Sequence, residues 1–473
     1  MNSPTRRRPR RGRPGDRPGE RGRDAPTQAR RLALRVLERV ERTGAYADLA
    51  LHAELARSRL AKSDRALATE IVYGTLRWRG RLDYLLSHVL DRELAKLEPT
   101  VRCTLRLGAY QLLLMDRIPA NAAVDEAVRC VRAAGLDRAA GLVNAVLRRL
   151  ADEAAGIPLP ELEKDPVGHL THALSLPGWL AQRWVERLGA EEAAALAAAC
   201  NRPAPITLRA NRRRTSRDAL LQALRQRVPD AEPGRLAPDA IRLRGAGDPS
   251  RDPDFRGGSF TVQDEASQLV VELLAPEPGE RILDTCAAPG TKATAIAERV
   301  GETGRVLALD RHARRLDLVA RDARRLALPN LETRVADASR DLSAAGREPF
   351  DRVLVDAPCS GLGAMRRNPD LRWRVSPEDP ARLARTQLAI LRHAATVLRP
   401  GGTLVYSTCT FAPEENEAVV DAFLASEADF RPADPSRLPD SVAGVVDPRG
   451  HLRCWPHRHD TDGFFAARLE RTS

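Results

Sequence analysis

Short apolar runs alternate with helical segments from about residue 260 onward, and this alternation restricts the possible folds more than any other feature of the chain. The pattern predicts helices at 311–327 and 381–398, and strands at 281–284, 306–310, 333–336, 352–356, 402–407 and 463–468. Such alternation is typical of a parallel, doubly wound sheet with helices on both faces. Ligands of these sheets bind beyond the carboxyl ends of the strands, so residues at those ends are the first candidates for function.

Two cysteines follow the fourth and fifth predicted strands. Cys359 lies in the sequence Asp-Ala-Pro-Cys-Ser-Gly that begins at Asp356, and Cys409 lies in the sequence Ser-Thr-Cys-Thr that begins at Ser407. Most cysteines are small, inert core residues, but a cysteine thiolate is also a good nucleophile. If the two strands are neighbours, both thiols face one pocket, together with the Asp356 carboxylate.

The first predicted strand leads into the loop Asp-Thr-Cys-Ala-Ala-Pro-Gly-Thr-Lys at 284–292. Small residues and Gly290 allow a ligand to approach the backbone, and the following helix offers free N–H groups to an anion. The sequence contains neither the P-loop pattern nor the Gly-x-Gly-x-x-Gly pattern of dinucleotide sites. We therefore expect a cofactor that carries a carboxylate rather than a pyrophosphate, and S-adenosylmethionine is the obvious candidate.

Two acidic residues follow the second and third predicted strands. Asp310 is predicted to accept hydrogen bonds from both ribose hydroxyls of the cofactor, although an Asp before a helix is also a common helix cap. Asp337 is predicted to face the adenine. Both residues would lie at the same edge of the sheet as the two cysteines.

The chain before the alternating region is helical and then mixed. Apolar residues recur at three- and four-residue steps, which predicts a small helical bundle at 30–155, and two prolines then mark a linker. Residues 170–258 combine helices with short strands, which predicts a small α/β subdomain before the sheet-bearing domain at 259–473. The basic run at 212–214 is expected to be a solvated face, with contact to a phosphate backbone as the alternative.

Positive charge is concentrated at the start of the chain. The 473 residues have a formal net charge of +12, and residues 1–31 contribute +8 of it through eleven Arg and three acidic residues. The segment 1–29, which is also rich in Pro and Gly, is predicted to be a disordered tail. Its role is open between non-specific contact with phosphates and a merely solubilising extension.

Cysteine spacing and hydropathy indicate the class of protein. The seven cysteines include no Cys-x-x-Cys pair, which argues against a zinc ribbon, and a disulfide framework is not expected in so long a chain. The Arg-rich start lacks the apolar core of a signal peptide, and no run approaches the ~20 apolar residues of a membrane span. We expect a soluble, cytoplasmic, monomeric protein that contains no metal.

Two thiols and a carboxylate at one pocket fit a specific reaction. C5 of cytosine is a poor nucleophile until a thiolate adds to C6 while a carboxyl group holds the ring nitrogen N3. C5 can then take a methyl group from a sulfonium, and removal of the C5 proton expels the thiolate. One cysteine must attack, one Asp must hold the ring, and a base must complete the elimination.

These motifs resemble the RNA cytosine-5 methyltransferases of the Nop2/Sun type. The resemblance rests on the loop at 284–292, the two cysteine motifs, Gln-Asp-Glu-Ala-Ser at 263–267 and Asp-Gly-Phe-Phe at 462–465. The sequences at 73–78 and 144–149 are similar to the NusB-like RNA-binding domain of the bacterial Sun (Fmu, RsmB) branch, which methylates small-subunit (16S) ribosomal RNA. The resemblance covers about residues 30–471 and implies a NusB-like bundle, a small α/β insert and a Rossmann-like methyltransferase domain.

The resemblance also implies a role for each matching residue. Cys409 would be the nucleophile, Cys359 would assist release of the product, and Asp356 would hold the cytosine edge. S-adenosylmethionine would be surrounded by Cys286, Ala287, Ala288, Pro289, Gly290, Thr291, Lys292, Asp310, Asp337 and Asp356, and Lys292 is also expected to take part in catalysis. The family usually has Gly in place of Thr291, and we expect this difference to change cofactor affinity modestly. The pattern of DNA cytosine-5 methyltransferases would instead make Cys359 the nucleophile.

The sequence thus predicts a methyltransferase that uses S-adenosylmethionine to modify C5 of a cytosine in small-subunit ribosomal RNA. The alternative from another class is an RNA-binding assembly or antitermination factor with a degenerate Rossmann domain, but such a module has no need of two matched thiols. A nicotinamide-dependent dehydrogenase is a more distant alternative, because the dinucleotide pattern is missing.

Overall fold

Amphipathic helices form the first part of the computed structural model, which describes residues 26–244, 248–342, 345–346 and 348–472. These helices are α1 (Gln28–Thr43), α2 (Ala47–Arg57), α3 (Lys62–Arg77), α4 (Arg79–Val89), α5 (Pro99–Leu114), α6 (Ala120–Ala133) and α7 (Ala140–Glu153). The predicted helical bundle is therefore confirmed. Residues 1–25 of the predicted tail lie outside the described residues, and α1 begins within the last part of the segment predicted as tail.

Close helix packing explains part of the sequence at 73–78. Leu32 of α1 and Ile71 of α3 are buried in one hydrophobic cluster, where a buried side chain of this size contributes about 1.5–3 kcal/mol. A β-carbon on Gly74 would lie 1.9 Å from the ring of Tyr110 on α5. Glycine at this position therefore allows α3 and α5 to pack closely.

The chain divides between Pro158 and Leu159 into two compact units, and this break coincides with the prolines that mark the predicted linker. The second unit begins with α8 (Pro166–Gly168), α9 (Gly178–Leu188) and α10 (Ala190–Asn201). A small sheet follows, made of β1 (Ile206–Ala210), β2 (Glu232–Pro233), β3 (Ala240–Leu243) and β4 (Phe260–Val262), with α11 (Arg217–Arg225) and α12 (Pro253–Arg256) between the strands.

The small sheet is antiparallel throughout, in the order β2-β3-β1-β4. Helix α11 covers it through Leu220 and Leu224, which share a cluster with Leu208 of β1 and Ile241 of β3. Strand β4 lies beyond residue 258, so the sheet extends past the predicted end of this subdomain.

The basic run at 212–214 makes contacts within the protein. Arg212 donates to Asp239 at 2.5 Å and Arg213 to Glu302 at 2.9 Å, while Arg214 donates to the carbonyl oxygen of Gly257 at 2.7 Å. Arg212 and Arg214 are exposed and Arg213 is half-buried, so the run is only partly solvated.

The large sheet carries the predicted alternation of strands and helices. Its strands are β5 (Arg281–Asp284), β6 (Arg305–Asp310), β7 (Leu331–Val335), β8 (Phe350–Asp356), β9 (Leu398–Thr408), β10 (Phe430–Pro432), β11 (Leu452–Cys454) and β12 (Phe464–Arg471). The order is β10-β12-β9-β8-β5-β6-β7, with β11 beside β12. The five neighbouring strands β9, β8, β5, β6 and β7 are parallel to one another.

The expectation of a wholly parallel sheet is wrong at one edge. The strand predicted at 463–468 is β12, and it pairs antiparallel with β9, β10 and β11. A parallel strand needs a crossover of a dozen or more residues, usually through a helix, whereas only nine residues separate β11 from β12. The chain therefore reverses direction at 455–463 and inserts β12 between β9 and β10.

Helices cover both faces of the large sheet. They are α13 (Glu265–Leu274), α14 (Thr291–Val300), α15 (Ala313–Arg325), α17 (Asp379–Thr396) and α18 (Glu417–Ser426). The short helices α16 (Leu371–Arg374) and α19 (Pro456–His459) pack with α9 and α10 instead. Along β8, Val353 and Val355 share a cluster with Leu391 of α17, whereas Leu354 shares a cluster with Leu269 of α13. Successive side chains thus enter opposite layers, which confirms the doubly wound architecture.

Candidate active site

The structure brings the two predicted cysteines together at the carboxyl ends of β8 and β9. These strands are parallel neighbours, and their register pairs Asp356 with Ser407. The sulfur atoms of Cys359 and Cys409 are 3.3 Å apart, and the backbone N–H of Cys409 donates to the Cys359 sulfur at 3.4 Å. Both thiols are free and half-buried.

A buried hydrogen-bond network holds the two cysteine loops against each other. The Glu415 carboxylate accepts from the backbone N–H of Ser360 at 2.8 Å and from the Ser360 hydroxyl at 2.5 Å. Gln387 of α17 donates to the same carboxylate and to the Pro358 carbonyl, both at 2.9 Å. The Ser360 and Thr410 hydroxyls lie 2.7 Å apart and join the residues that follow the two cysteines. Sequence reasoning missed this network, because a lone Glu after a strand gives no signal that distinguishes it from a surface residue.

Asp356 and Lys292 form a second pair beside the thiols. Lys292 Nζ lies 2.7 Å from Asp356 Oδ2, and the Ser407 hydroxyl donates to Asp356 Oδ1 at 2.8 Å. The ammonium also lies 4.9 Å from the ring centroid of Phe464, within cation–π distance. Lys292 is 7% exposed, so its charge is directed at Asp356 and not at solvent.

Burial shifts the acid–base properties of three neighbouring groups. Asp284 at the end of β5 has no exposed surface, and burial together with the nearby Asp356 charge raises its pKa to about 7. The hydrogen bond with Cys409, and then burial, raise the pKa of the Cys359 thiol well above its ordinary value. Burial also raises the pKa of Cys286. Sequence reasoning did not select Asp284 as a site residue, although its position at a strand end could have identified it.

A cavity of about 220 Å³ opens beside the thiols. The predicted residues that line it are Cys286, Ala288, Asp310, Asp337, Asp356, Cys359 and Cys409. Thr386 and Ile390 of α17 also line it and were not predicted, because helical periodicity does not reveal which turn faces a cavity. Residues from the ends of five strands and from two helices, α15 and α17, thus share a single concave surface.

The remaining predicted cofactor residues, Ala287, Pro289, Gly290, Thr291 and Lys292, do not line this cavity. Gly290 has a φ of +114°, and a β-carbon there would lie 3.1 Å from the Cα of Val319 on α15. Helix packing therefore explains this glycine, where we expected a close approach of ligand to backbone. The carbonyl oxygen of Thr291 accepts from Arg209 of β1 at 2.6 Å, which ties the loop to the small sheet.

Asp310 and Asp337 each make a local hydrogen bond and also face the cavity. Asp310 Oδ1 accepts from the backbone N–H of His312 at 2.8 Å, as a residue near a helix start commonly does. Asp337 accepts from the Ser339 hydroxyl at 2.6 Å, which lowers the pKa of its carboxyl. Both remain able to accept further hydrogen bonds, because each carboxylate has four lone-pair positions.

Neither a metal centre nor a membrane span is found in the described part of the chain. Within ranges 26–244, 248–342, 345–346 and 348–472, no group of three or more His, Cys, Asp or Glu side chains is arranged to hold a metal ion. None of the helices in those same ranges is long and apolar enough to cross a membrane.

Family models match all three parts of the chain. Residues 27–152 match the NusB family, residues 176–249 match the RsmF/B-like methyltransferase ferredoxin-like domain, and residues 271–470 match 16S rRNA methyltransferase RsmB/F. The expected bundle, small α/β insert and methyltransferase domain thus each have a counterpart.

Similar proteins are found along almost the full length. The chain is 38% identical over 447 residues to probable ribosomal RNA small subunit methyltransferase B of Bacillus subtilis, covering 94% of this chain and 99% of that protein. It is 40% identical over 451 residues to ribosomal RNA small subunit methyltransferase B of Thermus thermophilus, covering 94% and 98%. The crystal structure of PH0851 is similar with a TM-score of 0.78 and 26% identity, covering 93% and 99%.

Proposed function

The chain belongs to the RsmB/F family of 16S rRNA methyltransferases, and from this premise we propose that it methylates C5 of a cytosine in small-subunit rRNA through a covalent bond between Cys409 and C6. S-adenosylmethionine is the proposed methyl donor. One observation carries the proposal: two free thiols lie 3.3 Å apart on one cavity with the Asp356 carboxylate. Inert core cysteines do not require such an arrangement.

The surroundings of Cys359 argue against that thiol as the nucleophile. The hydrogen bond with Cys409 and burial raise the pKa of the Cys359 thiol, which disfavours the thiolate form of Cys359. The Cys359 S–H can then donate to the Cys409 sulfur over their 3.3 Å separation. This argument agrees with the role that the family resemblance implies for Cys409.

Asp356 is proposed to hold the cytosine edge during the attack. As the Cys409 sulfur bonds to C6, the electron pair of the C5–C6 double bond becomes available at C5. The protonated Asp356 carboxyl group donates its O–H to N3, and this proton balances the charge that spreads into the ring. Lys292 and Ser407 fix the Asp356 carboxylate through its two oxygens. Lys292 is therefore proposed to act by orienting Asp356.

The acceptors around the cavity fit S-adenosylmethionine. Asp310 can accept from ribose hydroxyls, and Asp337 supplies a second carboxylate of the cavity lining. Asp284 does not line the cavity, and its buried Oδ2 has no hydrogen-bond partner among the described residues. When bound, the cofactor supplies a methyl group activated by a sulfonium. We propose that Cys286 and Ala288 contact it as neutral walls of the cavity.

Product release completes the proposed cycle. A base removes the C5 proton, the C5–C6 double bond forms again, and the bond between Cys409 sulfur and C6 breaks with its electron pair on sulfur. The Cys359 S–H stabilises the departing thiolate, because it lies within hydrogen-bond distance of that sulfur.

Ribosomal RNA is the proposed partner, and the target base must leave its stack to reach a thiol within a cavity. The residues matching the NusB family are proposed to bind structured RNA by its shape and phosphates. Because rRNA is the substrate, we propose that the protein acts in the cytoplasm, and we propose a monomer.

The test is transfer of tritium from methyl-labelled S-adenosylmethionine to unmodified small-subunit rRNA. We expect incorporation at cytosine C5 with the wild-type chain and at least a thousandfold slower incorporation with Cys409→Ala. Cys200→Ala is the matched control, because Cys200 is buried in α10 away from the cavity. Normal incorporation by Cys409→Ala, or methylation at another atom, would contradict the proposal.

A further inference from the structure

A second cavity, of about 690 Å³, lies in the unit Leu159–Ser473 and has a separate lining from the thiol cavity. Six arginines line it: Arg202, Arg235, Arg242, Arg244, Arg366 and Arg458. Asp460 is the single acidic residue of this lining within the described part of the chain. We call this feature the arginine cavity.

Two buried guanidinium groups share one carboxylate in the arginine cavity. Asp460 accepts hydrogen bonds from Arg242 and from Arg366, the latter at 3.0 Å. Arg242 is 2% exposed, and its Nε lies 3.9 Å from a Glu232 oxygen, beyond hydrogen-bond distance. Its Nε and Nη1 thus donate to no acceptor among the residues that the structure describes. Buried N–H groups without an acceptor cost free energy unless a ligand supplies the missing oxygen atoms.

The arginine cavity retains positive charge after its carboxylate neighbours are counted. Besides Asp460, Glu232 lies 3.4 Å from Arg244, and Glu192 pairs with Arg458. Six arginines therefore face three carboxylates, which leaves a formal charge of +3. Planar guanidinium groups bind phosphate oxygens in bidentate fashion, so the cavity has the donors and the charge for a phosphate.

Two hydrogen-bonded loops connect the arginine cavity to the proposed nucleophile. The backbone N–H of Gly363 donates to the carbonyl oxygen of Cys409 at 2.9 Å, and the N–H of Gly463 donates to the carbonyl oxygen of Gly363 at 2.9 Å. Arg366 lies three residues after Gly363, and Asp460 lies three residues before Gly463. A ligand on these arginines would therefore be fixed to the loops that position Cys409.

We propose that the arginine cavity binds a backbone phosphate of the substrate RNA strand and so holds that strand in register with Cys409. The inference rests on the proposed function, since it assigns a binding site for the same substrate. Phosphate contacts position a nucleic acid without reading its sequence, so the site would contribute affinity and register for any target cytosine.

The test removes the three arginines of the cavity rim that are exposed and can be replaced without disturbing the core. The triple variant carries Arg202→Gln, Arg235→Gln and Arg244→Gln. We expect its KM for RNA to rise at least tenfold and its kcat to stay within about twofold. The slope of log Kd against log salt concentration should fall by about 0.7 for each phosphate of a single strand that the variant no longer neutralises.

Arg251→Gln is the matched control. Its side chain is 64% exposed against 61% for Arg244, and each of the two arginines pairs with one carboxylate. Arg251 does not line the arginine cavity, so this variant should bind RNA like the wild type. Equal reductions of RNA affinity in the control and the triple variant would overturn the proposal, because they would indicate a general effect of surface charge.

Two further readouts separate the phosphate site from the proposed function. If the wild type methylates RNA and the triple variant binds RNA with unchanged affinity and salt dependence, the phosphate site is wrong and the methyl transfer stands. If the triple variant loses RNA affinity while the wild type transfers no methyl group, only the proposed function fails. Inorganic pyrophosphate that binds at micromolar concentration without displacing RNA would indicate a small phosphate ligand and overturn the assignment to RNA.

Discussion

Asp284 and Asp356 end two adjacent parallel strands, yet they have opposite surroundings. Asp356 contacts an ammonium group and a hydroxyl, whereas Asp284 is fully buried and has the Asp356 charge nearby. Two carboxylates this close cannot both ionise without cost, so the buried one holds its proton to higher pH. The site thus contains a carboxyl group whose charge changes near neutral pH.

The raised pKa of Asp284 predicts a pH-dependent stability. Its ordinary value is 3.8 and its folded value is about 7, so its contribution to stability is complete below pH 3.8 and is lost as the pH rises through 7. Asp284→Asn should remove this pH-dependent loss of unfolding free energy. The loss is at most about 4 kcal/mol, because each pKa unit corresponds to ~1.4 kcal/mol. Urea unfolding at pH 4.5 and pH 8 measures it, with the exposed Asp317→Asn as control. A difference between wild type and Asp284→Asn that is the same at both pH values would contradict the prediction.

The thiol pair predicts different outcomes for its two alanine variants. Cys359→Ala removes the S–H that we propose to stabilise the departing thiolate, so the bond to C6 should persist and a protein–RNA adduct should accumulate. Cys409→Ala cannot form the bond and should give no adduct. Denaturing gels of reactions with labelled RNA distinguish the two variants. Adducts in both variants, or in neither, would show that the proposed division of roles is wrong.

At the scale of elements, α17 and the turn after β9 hold the cysteine loops in place through hydrogen bonds to the Glu415 carboxylate. Glu415 accepts both hydrogen bonds of Ser360 and one from Gln387, and Tyr406 donates to the Glu415 carbonyl oxygen at 2.6 Å. The geometry of the thiols therefore depends on a residue that is itself outside the lining of their cavity.

Glu415 is expected to be a positioning residue. Glu415→Ala should lower kcat about a hundredfold and leave the KM for RNA within about threefold, because the thiols lose their alignment and the RNA-binding surface remains. Glu415→Gln retains one oxygen acceptor, so its kcat should fall only about tenfold. Glu427→Gln, at the end of α18, is the control. A parallel loss of folding stability and kcat in both Glu415 variants, with no rescue by Gln, would indicate a structural role alone.

The sequence predicts most of the elements and only part of the site. Strands such as β8 and β9 follow from apolar β-branched runs, and the cysteines follow from their places at strand ends. The direction of β12 does not, because an apolar run has the same pattern in a parallel and an antiparallel strand. Glu415 and Ile390 also escape prediction, since their importance comes from contacts between segments that are distant in sequence.

At the scale of the whole molecule, the residues of the thiol cavity all belong to the unit Leu159–Ser473. Unit Met1–Pro158 contains the match to the NusB family. The division predicts that a fragment of residues 159–473 folds and binds S-adenosylmethionine within about threefold of the full-length affinity, while its affinity for rRNA falls at least tenfold. Calorimetry and fluorescence anisotropy measure the two affinities. A fragment that folds but does not bind the cofactor would contradict the prediction.

The place of β12 has a consequence for the timing of activity during synthesis. This strand lies inside the sheet, Phe464 faces Lys292, and Gly463 supports the loop behind Cys409. A nascent polypeptide that ends between residues 455 and 463 would carry every cysteine and still lack the whole of β12. Premature termination before β12 should therefore abolish the proposed methyl transfer as completely as Cys409→Ala does.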